Sequence, residues 1–474
     1  CNCLEIGEGD EEMASKSKQW IHMVGIAGAG MSGLAKVLAE QDFRITGSDF
    51  QADNVAASFN ELGIKVYQGH SSSNLGEGVD LLVISSAIPQ DNVEVKLAKE
   101  RNIPILKRGQ MLATLVNTKK GIAIAGAHGK TTTTSMIYTV LADGGMDPSF
   151  IVGGELQGSK LNAKSGSGEY FVTEADESDA SFLEINPYIA VVTNIEDDHL
   201  DFYKSFDNIK NAFAQFVKQV DPQGFAVLCG SDECNLRLKQ IIPGKAILYG
   251  EDQSFDYFLQ DWNAEGLGSR FKVYRQAEYL GDVELSVPGK HNALNALAAI
   301  AVAFEIGMSF SDIKRALKKF FGARRRFQIM GNHADITVVD DYAHHPTEIK
   351  ATIAAARAFH KGRVIVVFQP HRYSRTSILG KQLGEAFVGV DKVIFTDVYS
   401  AGEQIIPGIS GKTVYEAACA VDCNAMYMPS LQEIESYLAK NSQKEDLIIT
   451  MGAGDIWRLG LNLLKNFNQS VLNL

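Results

Sequence analysis

Short β-branched apolar runs recur along this chain. Each is closed by a glycine turn and followed by a helix-length stretch with apolar residues every three or four positions. The first series runs from about Trp20 to Asn117 through IHMVGI, FRITGSD, IKVYQG, DLLVISSA and IPILKR. The second opens with GIAIAG at Gly121 and continues through YFVTEAD and IAVVTNIE; within it, residues 255–287 alternate like antiparallel strands and end at VPGKHN. The third begins near Phe327 and passes through DITVVDDYAHHP, RVIVVFQP, KVIFTDV and DLIITMGAGD. Strands alternating with helices predict an α/β fold of three domains, each a mainly parallel sheet with helices on both faces. The expected boundaries are a flexible extension over 1–19 and domains over 20–118, 119–325 and 326–474, with NTKKG (Asn117–Gly121) and GARRRF (Gly322–Phe327) as linkers. Ligands are expected at the carboxyl ends of the strands and in clefts between domains.

The 474 residues carry a formal charge of −12, which argues against broad nucleic-acid binding but leaves room for an anionic small substrate held locally. The six cysteines (Cys1, Cys3, Cys229, Cys234, Cys419, Cys423) are too scattered for a disulfide framework. None forms a C-x-x-C pair, which speaks against zinc as well, and free thiols in a reducing cytoplasm are expected. No apolar run reaches the roughly 18 residues that span a bilayer, and the acidic, polar start of the chain lacks the apolar stretch of a signal peptide.

The run GIAGAGMSG places Gly28, Gly30 and Gly33 in a G-x-G-x-x-G spacing between a predicted strand and a helix, with Asp49 at the end of the next strand. Such glycines let backbone approach a diphosphate while the helix N-terminus offers N–H groups. Alone, the pattern fits a tight strand–helix turn with no ligand or a nicotinamide-dependent oxidoreductase as well as some other diphosphate site, and it specifies a diphosphate more than it specifies NAD.

GIAIAG then leads into Gly126-Ala127-His128-Gly129-Lys130-Thr131-Thr132 and a helical run. This is a shortened P-loop, since the longer pattern would need glycine where the chain has Ile124. Its N–H groups suit phosphates, Lys130 suits the β/γ oxygens, and the Thr131 hydroxyl suits Mg²⁺. Two later strand ends offer further metal ligands: Glu174 in TEADESD, a conventional oxygen donor, and His199 in NIEDDHLD, a less usual one. The neighbouring Asp176, Glu177, Asp179, Asp197 and Asp198 read mostly as a solvated rim.

GKHNALNALAAIAVAF sets His291, Asn292 and Asn295 on the first turns of a helix, where asparagine suits either an adenine edge or a cap. Arg324-Arg325-Arg326 offers cations for a transferring phosphate, and Arg372 and Arg375 in PHRYSRT offer forks for a carboxylate beside His344 and His345.

In that order, GAGMSG, GxxGKTTT, TEADESDASF, TNIEDDHLDFY, HNALN, RRRF, DDYAHHP and PHRYSRT resemble the Mur ligases of bacterial peptidoglycan synthesis, over the chain from about Trp20 onward. The resemblance implies Rossmann-like N- and C-terminal domains around a P-loop ATPase domain. It implies that Gly126–Thr132 bind ATP; that Thr131, Glu174 and His199 hold Mg²⁺, with Mn²⁺ a substitute; and that Asn292 and Asn295 face the adenine, with His291 also in the ATP site. Arg326 and Asp341 would close over the ATP. Tyr342, His344, Arg372 and Arg375 would form the amino-acid site, while Gly28, Ala29, Gly30, Met31, Ser32, Asp49 and His70 would hold a UDP diphosphate rather than NAD. Several family members carry a carbamylated lysine about 15 residues after the metal histidine; this chain has Ala214 there, in keeping with the alanine-adding branch. The implied reaction joins L-alanine to the lactyl carboxylate of UDP-N-acetylmuramate through an acyl phosphate, with Lys130 and Arg326 serving the phosphoryl transfer and His344 a candidate base. The alternative is a recycling ligase that attaches a preformed peptide. A cytoplasmic monomer or homodimer, without nucleic-acid or membrane partners, is expected.

Overall fold

The computed structural model describes residues 18–159 and 161–471, so the expected extension lies outside the described residues except for Lys18 and Gln19. The chain divides into two compact units. One runs up to Leu112 and includes Ala163–Ser165; the other holds Ala113–Asn162 and everything from Gly166 onward. No helix among the described residues is long and apolar enough to cross a membrane.

The first unit carries a five-stranded parallel sheet in the spatial order Lys65–Gln68, Arg44–Asp49, Trp20–Val24, Leu81–Ile84, Ile105–Lys107. The order reverses between Trp20–Val24 and Leu81–Ile84, and at such a switch the strand ends leave a crevice for ligands. Behind it Glu94, fully buried, accepts from Ser48 Oγ at 2.5 Å, Asn74 Nδ2 at 2.7 Å and the Ser71 N–H at 3.0 Å, with the His22 ring 3.7 Å away. Burial alone would raise its pKa, but these donors reverse the effect and hold it at about 2. A carboxylate held below its ordinary value stabilises the fold above pH ~4.5, and that contribution fades as the pH falls toward 2. Glu94→Ala strands buried donors and is expected to cost about 3 kcal/mol in urea unfolding at pH 7, with a smaller difference from wild type at pH 3.

In the second unit, Lys120–Ala125 pairs in parallel with Ile189–Val192 on one side and Tyr170–Glu174 on the other, bringing three strand exits together. Farther along the sheet, Tyr257–Glu265, Gly268–Arg275 and Glu278–Leu285 form the antiparallel meander expected from their alternation. The helices Lys130–Asp143 and Lys290–Glu305 bury Ile137, Val140, Leu141 and a run of alanines from Ala293 to Ala303 in one core with this sheet. Small residues allow the helix to lie close to its neighbours.

The third sheet runs Gln328–His333, Ile336–Asp341, Leu447–Met451, Val364–Phe368, Lys392–Phe395, Ala425–Tyr427, parallel except for the first pair. Along Val364–Phe368, residues alternate between two cores: Val364, Val366 and Phe368 in one, Ile365 and Val367 in the other. That explains the uninterrupted apolar run, since helices cover both faces.

Neither expected linker is a solvated tether. Lys120 and Gly121 already belong to a strand, and Lys119 Nζ donates to Ser149 Oγ and to the carbonyls of Gly166 and Gly168. In the other, Arg325 adopts a left-handed φ of 61°, and its guanidinium donates to Asp340 and to the carbonyls of Gly452 and Gly454.

Candidate active site

In the first unit, the left-handed residue of the glycine turn is Gly25 (φ 81°), one turn ahead of the spacing read from sequence. Gly28 is extended and caps the helix Ala29–Glu40. Asp49 accepts from the N–H groups of Ala27 and Gln51, so its carboxylate fastens the turn to the second strand. Met31 and Ser32 are buried, which leaves their backbone, with Ala29 and Gly30, as what this helix start can offer a phosphate. His70 is tied to Ser48 Oγ at 2.9 Å and stands edge-on to Phe50. Sequence reasoning passed over Arg108, whose guanidinium lies against Gly30, so close that a Cβ there would sit 3.2 Å from Nη1. It begins the helix after the last strand of the sheet, and the strand-end position was its only signal.

In the second unit, the P-loop leaves Lys120–Ala125 and starts the helix Lys130–Asp143. Gly126 (φ 133°) faces Thr193 and Asn194, and a Cβ there would collide with the Thr193 hydroxyl; at Gly129 (φ 86°) it would come within 2.8 Å of Asn295 Oδ1. The loop is thus shaped by the neighbouring strand exit, where Asn194 Oδ1 accepts from His128 N and Asn194 Nδ2 donates to His128 O.

Lys130 Nζ donates to Gly126 O at 2.6 Å and to Glu177 Oε1 at 2.7 Å. Burial would lower its pKa, but Glu177 and Asp176 keep it above the ordinary lysine value. Glu177 corrects the reading of a solvated rim: it is 3% exposed, it lies 3.9 Å from His199 Nε2, and its Oε2 is buried without a hydrogen-bond partner. Asp198 is also largely enclosed. Burial works against its charge, but His199 and Arg375 hold it well below the usual carboxylate range. Only Asp197 is plainly exposed. Glu174 ends its strand beside the loop and accepts from Gly153 N at 2.9 Å. Of the residues expected to hold Mg²⁺, Glu174 lies beside Gly153 and Thr131 beside Gly154, while His199 stands next to Glu177, whose orphaned buried oxygen is chemically suited to a hard cation.

One cavity of about 170 Å³ gathers most of the expected ATP residues: His128, Gly129, Thr131 and Thr132 with His291, Asn292, Asn295, Arg326 and Asp341. Asn292 Nδ2 donates to Pro288 O, and Asn295 Nδ2 to Asn292 Oδ1. Asp341 accepts from the N–H groups of Phe327 and Ala343, yet burial raises its pKa to about 6. Desolvation, with Arg326 nearby, lowers half-buried His291 to about 4. Glu348, absent from the sequence-derived set, lies at the centre of this wall. It accepts from Arg326 Nη1 at 3.1 Å and from His344 N at 3.0 Å, and stands 3.3 Å from His128 Nδ1. Burial opposes its ionisation, but His344, His128 and Arg326 hold it well below the ordinary value. His128 is raised to about 9, because Glu196 and Glu348 outweigh its burial.

A second, small cavity of about 40 Å³ brings His199 and Asp198 together with Arg372 and Arg375. Arg372 precedes the helix Tyr373–Glu385 in a left-handed conformation (φ 68°). Tyr342 and His344 do not line this cavity: Arg326 lies over the Tyr342 ring at 5.3 Å, and His344 Nδ1 donates to Tyr342 O at 3.0 Å. Burial, reinforced by Arg375, lowers His344 to about 4, so its ring is neutral and weakly basic.

Three family profiles match the chain in order: the Mur ligase family catalytic domain over residues 20–120, the Mur ligase middle domain over 124–303, and the Mur ligase glutamate ligase domain over 325–454. The UDP-N-acetylmuramate–L-alanine ligase of Syntrophomonas wolfei is 63% identical over 465 residues, 98% of this chain and all of that one. Among solved structures, the UDP-N-acetylmuramate-alanine ligase of Thermotoga maritima superposes with a TM-score of 0.82 at 29% identity, covering 95% of this chain and 99% of that one. A murein peptide ligase from Psychrobacter arcticus shares the fold, with a TM-score of 0.71 at 24% identity, 95% of this chain and 98% of that one.

Proposed function

Because this chain belongs to the Mur ligase family, we propose that it joins L-alanine to the lactyl carboxylate of UDP-N-acetylmuramate at the expense of ATP, in the cytoplasm, during peptidoglycan synthesis. The observation that carries this reading is the position of His199, which is 3.9 Å from the carboxylate that holds Lys130 and also lines the small cavity of Arg372 and Arg375. A phosphate-handling lysine and a carboxylate-binding arginine pair thereby serve one strand exit. The domain division proposed is 20–118 for the UDP-substrate, 119–325 for ATP and 326–474 for the amino acid, the last also closing over ATP.

A carboxylate resists amine attack because its carbon is electron-rich and oxide leaves poorly. Transfer of the γ-phosphoryl group to the lactyl carboxylate gives an acyl phosphate. The neutral amine of alanine then attacks its carbonyl carbon, the C–O bond to phosphate breaks, and amide, phosphate and ADP result. Phosphoryl transfer asks mainly for positioning and charge neutralisation. The P-loop N–H groups, Lys130 and Arg326 supply these, with Asp341 and Asn295 shaping the nucleotide pocket. Mg²⁺, held by Thr131, Glu174 and His199, would add positive charge at the phosphates. Lys130 must exchange Glu177 for phosphate oxygens, and the raised pKa keeps it cationic as it does so. A His344 ring this weakly basic is a poor acceptor for an ammonium proton, and its hydrogen bond to Tyr342 O suits orientation better. In the first unit, the helix start at Gly28, Ala29, Gly30, Met31 and Ser32, steadied by Asp49 and with His70 and Arg108 nearby, receives the UDP diphosphate.

The small Arg372–Arg375 cavity favours a single small amino acid over a peptide. Acceptor comparison tests this: glycine and serine are expected to react about 10- to 200-fold more slowly than L-alanine in kcat/KM, because one small group against the cavity's apolar side (Leu200, Ile378 and Leu379) discriminates by only about 1–3 kcal/mol. Turnover of a preformed tripeptide at the rate of alanine would transfer the assignment to a recycling ligase.

A further inference from the structure

Beside the loop that faces the nucleotide, three donor atoms from three segments converge. His128 Nε2 lies 3.1 Å from His345 Nδ1 and 3.4 Å from Glu196 Oε2, and the last two are 3.6 Å apart. His128 belongs to the P-loop, Glu196 follows the strand Ile189–Val192, and His345 caps the helix Pro346–Phe359. Neither imidazole pairing nor a carboxylate–imidazole ion pair requires all three edges to be so nearly equal.

A tetrahedral metal centre does. With zinc bonds of about 2.0–2.1 Å, tetrahedral angles put neighbouring donor atoms about 3.3–3.4 Å apart. A point about 2.05 Å from all three atoms lies about 0.6 Å outside their plane, close to the ideal height of such a face. We propose that His128, Glu196 and His345 bind one transition-metal ion of the zinc class, which fastens the P-loop to the start of helix Pro346–Phe359 and leaves a fourth position open to water.

The surroundings are those of a metal site. Glu348 Oε1 stands 3.3 Å from His128 Nδ1, on the far side of the ring from the donor atom, and that nitrogen has no hydrogen bond of good geometry. Ligating histidines commonly present their other nitrogen to a carboxylate in this way. Thr347 Oγ1 donates to Glu196 Oε2 at 2.8 Å and so holds the carboxylate in place. Thr347 N also points at His345 Nδ1, at 3.4 Å, a weak contact that the ion would replace. His345 is 5% exposed, whereas Glu196 and His128 are partly open, which gives the ion a route in. Two imidazoles and one carboxylate suit zinc, cobalt or nickel rather than magnesium, which prefers an oxygen octahedron and retains its waters. None of the three belongs to the Thr131, Glu174 and His199 set. Binding requires both ring nitrogens to present lone pairs, so the proton between His128 and His345 leaves to solvent. No cysteine takes part, so the cysteine spacing carried no sign of such a site.

Cobalt titration of the full chain, stripped of metals and held in excess Mg²⁺, tests the site without any substrate. The expected result is one equivalent of Co²⁺ giving the intense visible bands of a tetrahedral centre without thiolate charge transfer, displaced by one equivalent of Zn²⁺. His345→Ala should weaken binding by more than about 100-fold, and Thr347→Val, a milder change, by about tenfold. Glu174→Gln should leave the bands in place. A weak octahedral spectrum, bands carried by cysteine thiolate, or wild-type affinity in both His345→Ala and Thr347→Val would overturn the proposal.

Discussion

Lys130→Ala is expected to lower kcat for ligation by at least about 10³-fold, the loss seen when a charge-stabilising donor at a reacting phosphate or oxyanion is removed. The size of the effect follows from the site's construction. The Lys130 ammonium sits over the P-loop's own carbonyls, held by Gly126 O and Glu177, and no lysine is among the residues lining the adjoining cavity that could replace it. Binding of UDP-N-acetylmuramate should be unchanged, because the residues proposed to receive its diphosphate belong to the other unit. Truncation also leaves Glu177 buried without its cation, with a stability cost of about 3–5 kcal/mol. The double variant Lys130→Ala/Glu177→Gln separates the two effects: it should regain stability and remain inactive. Calorimetry for the UDP-sugar and phosphate release for turnover check both. Turnover within tenfold of wild type would remove this loop from the mechanism.

The second large effect is expected at Glu348. Its carboxylate gathers Arg326, His128 and the His344 N–H, so one side chain positions a P-loop residue, the arginine proposed to serve phosphoryl transfer and the backbone of the DDYAHHP segment. Glu348→Ala leaves two cationic groups enclosed without their anion, at a cost of about 3–5 kcal/mol in unfolding free energy. Glu348→Gln keeps the shape and one acceptor. It is expected to retain most of the stability but to lower kcat by about 10²-fold with little change in KM for the UDP-sugar, through misplacement of Arg326. A Gln variant with wild-type kcat would reduce Glu348 to a structural role.

Much of this was legible in the chain because local rules and global fold agree. The alternating run 255–287 became the antiparallel meander, and the continuous apolar run RVIVVFQP became a strand buried on both faces, as its lack of alternation requires. The P-loop after Lys120–Ala125, Asn295 on the first turns of helix Lys290–Glu305, Arg326 ahead of strand Gln328–His333 and Asp341 at a strand's carboxyl end, far apart in sequence, line one cavity. What escaped depends on tertiary burial. Glu177 and Asp198 look like solvated acids in a polar run, and only the neighbouring strand exits enclose them. Arg108 and Glu348 are single charges at helix starts, a position shared by many residues with no ligand role. Arg325 shows the reverse case: within an arginine triplet read as a source of phosphate-binding cations, it is spent on Asp340 and two carbonyls of the third sheet.

In the proposed reaction the lactyl carboxylate is phosphorylated before alanine attacks its carbon. UDP-N-acetylmuramate labelled with ¹⁸O in both carboxylate oxygens tests it directly, with the released phosphate analysed by mass spectrometry. The account expects one labelled oxygen in every phosphate formed with L-alanine present, since the bridging oxygen of the acyl phosphate departs with phosphorus. Phosphate free of label, alongside full amide formation, would contradict it.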